Sequence, residues 1–314
     1  MSRISPEIRA FPEKEVPLEL LLLGDPDRKM VQKYMKTSIY FGAFIQDEVV
    51  GIIALNEKRN SEIEIENLSV LPYYQKKKIG RALMEYSIDY SKGKGYKKIL
   101  IKTGNTSVGQ LALFQKLGFE LSGINQNHFI QNYSGPIYEN HFECRHQVVL
   151  EYRIFSEEEV EDEIRKFWKA FIEKNEEHRD SSYEVWSFGL GEYQANSLLG
   201  LVRTGVKTGT SSALEMYEEG EKIPESGDLS IVTFGNGMPA CIIRTEDVKT
   251  LPFEEISRAD AALEGEGDCS LEYWREVHHY FFRLEYKGSG LEFTERSPVI
   301  FERFKVIFDR NELE

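Results

Sequence analysis

Cysteine is scarce in this chain of 314 residues: there are three, Cys144, Cys241 and Cys269, far apart and in no C-x-x-C spacing. That excludes a disulfide-stapled scaffold and a cysteine-rich zinc site; no metal is expected, and a reducing, cytoplasmic compartment fits. Long apolar runs are missing too. The stretch Leu18–Leu23 is interrupted by Glu19 and followed by Gly-Asp-Pro-Asp, and no basic leader or cleavage site accompanies it. It is too short to span a bilayer, so neither a membrane partner nor an export signal is expected. Positive charge is in deficit, with 39 Lys and Arg against 53 Asp and Glu and a formal net charge of −14. Such a surface repels a phosphate backbone, so non-specific nucleic-acid binding is excluded and any RNA contact needs a local basic pocket. The acidity suits a cationic substrate such as an amine, although a solvated acidic surface has the same composition.

Apolar material is plentiful. Hydrophobic residues make up 41% of the chain, with 16 Tyr and 19 Phe, enough to bury two cores. The length itself suits two domains of about 150 residues each. In the first half, Ile39–Ile45 and Val49–Leu55 are β-branched runs around a short polar turn, the pattern of a hairpin. Glu62–Leu71 alternates and then turns apolar, as a central strand exposed at its start does, and Pro72 ends it. Helical spacing follows from Ile79 to about Lys92 and from Ser107 to Leu117, with extended segments at Lys98–Thr103 and Phe119–Ile124. The order is β-β-β-α-β-α-β, a mixed α/β sheet. The charged stretch Ser156–Glu163 then opens a helix through a capping-box pair, Ser156 and Glu159, which places a domain boundary near residue 155. Beyond it, helices near 160–175 and 193–204 and a helix-like Ser270–Phe282 accompany strands at Leu229–Phe234, Pro239–Lys249, Leu291–Thr294 and Val299–Ile307.

The most informative stretch runs from Leu68 to Leu83: a strand ends, a basic turn follows, and a helix begins at a glycine. The first turn of a helix carries unpaired N–H groups and the positive end of the helix dipole, which suits a pyrophosphate. Gly80 would let phosphate approach the backbone, and Lys76, Lys77 and Lys78 add local positive charge to an acidic protein. These residues alone fit an ordinary strand–helix turn equally well. The segment resembles motif A of the GNAT acetyltransferase superfamily, with Gln75, Lys78 and Gly80 on its Gln, first Gly and second Gly positions. Lys78 departs from that pattern and requires a loop backbone that avoids positive φ there. Asn105 to Phe119, an Asn before a helix closed by Gly-Phe, resembles motif B, and the similarity covers about residues 5–152. The resemblance implies acetyl-CoA as cosubstrate. It also implies backbone contacts from Leu68 and Val70 to the pantetheine arm and a coenzyme site formed by Gln75, Lys76, Lys77, Lys78, Ile79, Gly80, Arg81 and Asn105.

Acetyl transfer to an amine needs a proton acceptor, and three residues are candidates. Glu64 matches the strand-four glutamate that acts as base in related enzymes, and Glu66 shares its face by strand alternation. His128 has a suitable ordinary pKa. A solvated edge pair and a structural histidine are the plainer readings of the same residues. The tyrosine that the family uses as acid is replaced by Phe114, leaving Tyr133, Tyr138 or water. The tail from His128 to Leu150 resembles a small bacterial GNAT subgroup and would line the acceptor pocket with Glu139, Asn140, His141 and Arg145, or simply form a terminal hairpin.

In the second half, the turn Lys207-Thr-Gly-Thr-Ser-Ser crowds a cation against hydroxyls. With Ala261–Asp268, Trp274-Arg275, His278 and Phe281-Phe282 it resembles the longer form of the ASCH domain over about residues 160–310. That resemblance implies a PUA-like β-barrel with helices and a link to RNA or modified nucleosides. In relatives that deacylate N4-acetylcytidine, the matching positions Lys207, Thr210 and Glu264 carry catalysis. A lysine beside a threonine can activate its hydroxyl while a carboxylate handles protons, and a simple binding pocket would use the same groups. The fold class expected is α/β (α+β): a GNAT mixed-sheet domain at 1–155 and a PUA/ASCH-like barrel domain with helices at 156–314. The function expected is acetyl transfer from acetyl-CoA to an amine of a small molecule or protein. The alternative is an RNA or modified-nucleoside binding module with an amidohydrolase activity in its second domain.

Overall fold

The structure, a computed structural model, describes residues 6–313. It divides into two compact units, Met1–Phe155 and Ser156–Glu314. Among the described residues no helix is long and apolar enough to cross a membrane.

The first unit runs β1 (Glu7–Phe11), α1 (Leu18–Gly24), α2 (Arg28–Met35), β2 (Ile39–Ile45), β3 (Glu48–Glu57), β4 (Glu62–Val70), α3 (Ile79–Gly93), β5 (Lys98–Gly104), α4 (Val108–Lys116), β6 (Glu120–Asn125), α5 (His128–Asn132), β7 (Ile137–Glu139), β8 (Phe142–Cys144) and β9 (Gln147–Arg153). Seven strands form one sheet in the order β1-β2-β3-β4-β5-β9-β6, and β7 and β8 pair apart from it. The β2–β3 hairpin closes on Gln46 and Asp47, both at positive φ, which matches the twist of the flanking strands. The expected β-β-β-α-β-α-β order is the stretch β2 to β6. Alternation missed α1, where Leu18–Leu22 has too little polar periodicity to read, and it missed β9, which lies between β5 and β6. The terminal hairpin expected in the tail is β7–β8.

One irregularity in β4 shapes the unit. Against β3, Asn67 pairs with Ala54 and Ile65 with Leu55, so Glu66 is an extra residue, a β-bulge. On the other side β4 pairs in parallel with β5 only from Glu62–Ile65 against Lys98–Ile101. A bulge bends its strand and disrupts the ladder. Beyond it β4 leaves β5, and a cavity of about 660 Å³ opens with Leu68 on one side and Thr103 on the other. After β4 the chain makes a short 3-10 turn (Pro72–Tyr74) and enters α3 through Lys78. The expectation that Lys78 avoids positive φ is corrected here: its φ is +66, and Lys76 also lies at +59. The tight reversal into α3 demands a left-handed residue whether or not it is glycine.

The second unit runs α6 (Glu157–Lys174), β10 (Glu184–Trp186), α7 (Glu192–Arg203), β11 (Gly209–Ala213), β12 (Leu229–Thr233), β13 (Pro239–Pro252), α8 (Arg258–Glu264), α9 (Leu271–Glu285) and β14 (Pro298–Asp309). Its first helix is closed by the expected capping box: Ser156 Oγ accepts the Glu159 N–H at 3.3 Å, and Glu159 accepts the Ser156 N–H at 2.7 Å. The sheet order is β10-β12-β13-β14-β11, with long, bulged β13 and β14 curling a half-barrel. Two expectations fail. Leu291–Thr294 is not a strand: Phe293 alone of the group is buried, set against Phe253, Phe282 and Tyr286, and the segment is an anchored loop. The Lys207–Ser212 turn is largely strand β11, paired with β14 from Gly209 to Ala213.

Holding a lysine in the left-handed region costs about 1–2 kcal/mol, part of which a glycine would return as lost chain entropy. Lys78→Gly is therefore expected to stabilise the first unit by roughly 0.5–1 kcal/mol, seen as a higher thermal midpoint. Calorimetry of the full chain measures it, and a lowered midpoint contradicts the strain.

Candidate functional site

The cavity at the open end of β4 gathers side chains from α1–α2, β3, β4, β5, α4 and the tail after α5. Gly24 ends α1 against β4 so closely that a Cβ there would meet Ser69 Oγ at 2.5 Å and Asn67 Oδ1 at 2.8 Å. That approach sets Asp25 on the cavity wall. Asn67, the first residue past the bulge, ties the walls together: its Nδ2 donates to Leu21 O and Tyr34 Oη, both at 2.9 Å, and its Oδ1 accepts from Ser69 Oγ at 2.6 Å. On the far side Tyr133 donates to Asp25 Oδ2 at 3.2 Å, and Ser134 donates its hydroxyl to Asp27 at 3.0 Å. Burial pushes the Tyr133 phenol well above its ordinary range, and the Asp25 carboxylate adds to the effect. Burial likewise raises Asp25 above the usual carboxylate range against the pull of its own hydrogen bonds.

Glu64 and Glu66 both reach the cavity and share Lys58, at 3.2 and 2.6 Å. Glu64, only 6% exposed, also faces Lys102 at 2.9 Å, so each of its oxygens meets an ammonium. Glu66 differs. Its Oε1 accepts from Lys58 and from Asn56 at 3.2 Å, while Oε2 has no partner among the described residues. His128 is not on the cavity wall; it stands behind Phe129 and Gln147, with Nε2 3.3 Å from Gln147 Nε2. Burial lowers its pKa, and Lys102 and Lys33 lower it further, all three disfavouring the imidazolium. Phe114 is buried on the wall, as a ring packed on Phe119.

Around the turn, Leu71 donates its N–H to Val50 O on β3 at 2.9 Å. Successive residues of a strand alternate their backbone groups, so those of Val70 and Leu68 face the opened edge. Gln75 reaches back across that edge, its Nε2 donating to Val70 O at 3.1 Å. Lys77 lies over the Tyr73 ring, 3.9 Å from its centroid. Ile79 is buried, which leaves only its backbone for a ligand, and Arg81 bonds Glu85 at 2.9 Å. A Cβ on Gly80 would meet nothing nearer than Val70 Cγ2 at 3.7 Å, so the chain itself does not require glycine there. Asn105 Oδ1 accepts the N–H groups of Arg145 and His146 at 3.1 and 2.8 Å, clamping the tail. Of the tail residues, Glu139 is on the wall and accepts from Ser107, Asn140 donates to Thr106 O at 2.7 Å, and His141 and Arg145 lie outside the cavity. Pattern reading missed Asp25, Tyr34, Lys58, Asn67 and Lys102. No motif marks them, and only Gly-Asp-Pro-Asp, a turn signal before α2, hinted at a constrained aspartate.

In the second unit, Lys207 is 1% exposed and its Nζ donates to Glu264 at 2.6 Å and Glu266 at 3.0 Å. Glu264, equally buried, also accepts from Ser211 Oγ at 2.6 Å and Trp274 Nε1 at 2.9 Å, with His278 Nε2 at 3.3 Å. Burial opposes both charges, but their mutual attraction wins. Lys207 is held above its ordinary range, and Glu264, helped by His278, well below the usual carboxylate range. The expected contact of lysine and threonine is thus replaced. Lys207 is a locked ammonium, and the hydroxyl that meets Glu264 belongs to Ser211. Thr210, one residue earlier in β11, sits opposite Glu302 of β14. Burial pushes that carboxyl up to about 7.

Residues 9–119 match the acetyltransferase (GNAT) family model and residues 184–308 the ASCH domain model. The chain is 37% identical over 132 residues to YvbK, an uncharacterized N-acetyltransferase of Bacillus subtilis, which covers 42% of this chain and 85% of that protein. A GNAT family acetyltransferase of Elizabethkingia anophelis, solved with acetyl-CoA bound, is 35% identical, with 47% of this chain and 97% of that one covered and a TM-score of 0.46. An ASCH domain from Lactobacillus crispatus is 33% identical, with 47% and 95% covered and a TM-score of 0.45.

All three tryptophans, Trp168, Trp186 and Trp274, belong to the second unit, so their fluorescence follows its unfolding alone. Removing one partner of a buried ion pair costs about 3–5 kcal/mol, whereas replacing both by apolar groups is close to neutral. Lys207→Met is expected to show that loss in urea denaturation, and Lys207→Met with Glu264→Gln to recover part of it, because the amide Oε1 still accepts from Ser211 and Trp274 while the unpaired charge is gone. Equal stabilities of the single variant and the native chain contradict the account.

Proposed function

Since this chain belongs to the GNAT acetyltransferase family over its first unit and carries an ASCH domain in its second, we propose that residues 1–155 transfer acetyl from acetyl-CoA to an amine, and that residues 156–314 form an appended ASCH-like domain. The observation that carries the reading is the edge of β4 beyond the bulge, which pairs with no strand and carries only the Gln75 amide on Val70 O, beside a lysine-rich turn and a helix start. Leu68 and Val70 would hold the pantetheine arm by their backbone. The first N–H groups of α3, with Lys76, Lys77 and Lys78, would hold the diphosphate. Gly80 fits this role because its missing Cβ leaves space that no group of the chain fills. Acetyl-CoA supplies the activated acyl group. The chain's own part is to bind the amine, take its proton and exclude water.

Of the three candidate bases, Glu66 is best supported. It lies at the bulge, on the cavity wall, with one carboxylate oxygen uncommitted. Glu64, clasped by two lysines, serves to fix Lys58 and Lys102, and His128, off the cavity wall, would act only through an intervening group. Tyr133 donates its hydroxyl to Asp25, which leaves Tyr138, also on the wall, or water as proton donor. Reading the chain chiefly as an RNA or nucleoside module has less support. The ASCH-side lysine is buried and paired, and the relatives of the first unit are N-acetyltransferases.

Gly80→Ala tests the coenzyme site without touching the fold, since alanine is the better helix former by about 1 kcal/mol. The expected result is an unchanged or higher thermal midpoint together with at least a tenfold loss in acetyl-CoA affinity by calorimetry. Undiminished affinity overturns the assignment of this turn, and no binding of acetyl-CoA to the native chain at millimolar concentration overturns the reading as a whole. Glu66→Gln is expected to lower kcat by about 10²–10⁴, the range of general base catalysis, with little change in acetyl-CoA binding.

A further inference from the structure

The proposed reaction leaves open what kind of amine enters, and the cavity wall opposite β5 bears on that. Three cations line the cavity, and each already has a partner. Lys58 lies between Glu64 and Glu66, Lys102 on Glu64, and Lys33 Nζ at 3.1 Å from Met30 Sδ. Asp25, half-buried on the same wall, has only neutral donors, the Asp27 N–H at 3.0 Å and the Tyr133 hydroxyl at 3.2 Å. A carboxylate withdrawn from water is disfavoured without a counter-ion, and Glu66 nearby makes the site more negative still. A second, independent observation lies beside it. Tyr34 is 6% exposed and its Oη accepts the Asn67 amide, yet its own O–H proton has no acceptor among the described residues. A buried hydroxyl proton without an acceptor is uncommon, and the cavity that Tyr34 lines is the space left for one.

We propose that Asp25 and Tyr34 form the acceptor subsite: Asp25 takes the cationic nitrogen of the acceptor as its missing counter-ion, and Tyr34 donates to a hydroxyl or carbonyl oxygen carried on a neighbouring carbon. The acceptor class is a small amine bearing an oxygen close to its nitrogen, as in amino alcohols, amino sugars and amino-acid amides. The reaction balances in the ordinary way. The ammonium held at Asp25 gives one proton to Glu66 Oε2, and the freed lone pair forms the new N–C bond to the acetyl carbon. The thioester C–S bond breaks, its electron pair leaving on sulfur, and the second N–H proton is released to solvent. Asp25 acts by charge before the chemistry, which is a binding role and separates it from Glu66.

This inference rests on the acetyltransferase reading, and the experiment separates their failures. The full chain is first titrated with acetyl-CoA by calorimetry; absence of binding sinks the underlying reading itself. With binding established, transfer is measured to 2-aminoethanol and to its alkyl isostere propylamine. The native chain is expected to favour 2-aminoethanol at least tenfold in kcat/KM, the worth of one hydrogen bond to a buried donor. Tyr34→Phe is expected to abolish that preference. Asp25→Asn, which keeps the side chain's shape, is expected to raise KM for both amines about tenfold or more with kcat nearly unchanged and acetyl-CoA affinity intact. Equal use of the two amines by the native chain, transfer to neither, a preference that survives Tyr34→Phe, or an unchanged KM in Asp25→Asn each overturns the subsite.

Discussion

A single extra residue in one strand governs the first unit. Glu66 adds a position to β4 that β3 does not match, and the strand turns away from β5 after Ile65. A closed parallel pair would have spent the backbone groups of Leu68 and Val70 on the sheet. The bulge instead leaves them facing an opening that the fold otherwise has no reason to keep. It also hands the polar network its first member, Asn67, whose amide bonds hold α1 and Tyr34 against the strand. Gly24 then lets α1 end close enough to set Asp25 at the mouth of the same opening. One backbone irregularity thus produces the slot, its lining and the spacing of its carboxylates.

The two units handle buried charge in opposite ways. In the first, the cavity wall carries several acids and lysines, among which Asp25 meets only neutral donors and Glu66 Oε2 has no partner among the described residues. In the second, Glu264 is saturated by Lys207, Ser211, Trp274 and His278, and Lys207 by two carboxylates. A saturated network in a dry interior rigidifies and selects one packing, whereas an unsaturated one in a wet cavity is ready to accept a group from outside. The carboxylate oxygen left open at Glu66 lies on the cavity wall of the first unit. In the other unit, the same kinds of residue hold α8 and α9 to β11.

Much of this was readable from residues, and what was not has identifiable causes. The hairpin at Gln46–Asp47, the strand ending at Pro72 and the helix start at Ser156 carry local signals, and local hydrogen bonding alone sets them. The bulge leaves no such mark, since a strand that gains a residue keeps its alternation on each side and only its partner reveals the slip. Lys78 misled because a left-handed residue is expected to be glycine, while the reversal into α3 imposes the conformation on whatever stands there. Leu291–Thr294 misled in the other direction, its alternation coming from a single buried Phe293. Asp25, Tyr34, Lys58, Asn67 and Lys102 come from three elements, α2, β4 and β5, and two loops, and their meeting depends on tertiary packing that no spacing encodes.

The place of β9 has a consequence for how the protein is made. That strand lies between β5 and β6, yet it is the last of the unit to leave the ribosome. Until residues 147–153 emerge, β6 has no neighbour to join and the far edge of β5 stays bare, so the sheet cannot close ahead of its final strand. Non-local pairing of this kind is slow and leaves an edge exposed to stray association during synthesis. Three residues after Arg153 the next helix begins on its own Ser156–Glu159 cap, which needs nothing upstream. The nascent chain therefore finishes one body and nucleates the next within a few codons, an arrangement that shortens the interval in which both are incomplete.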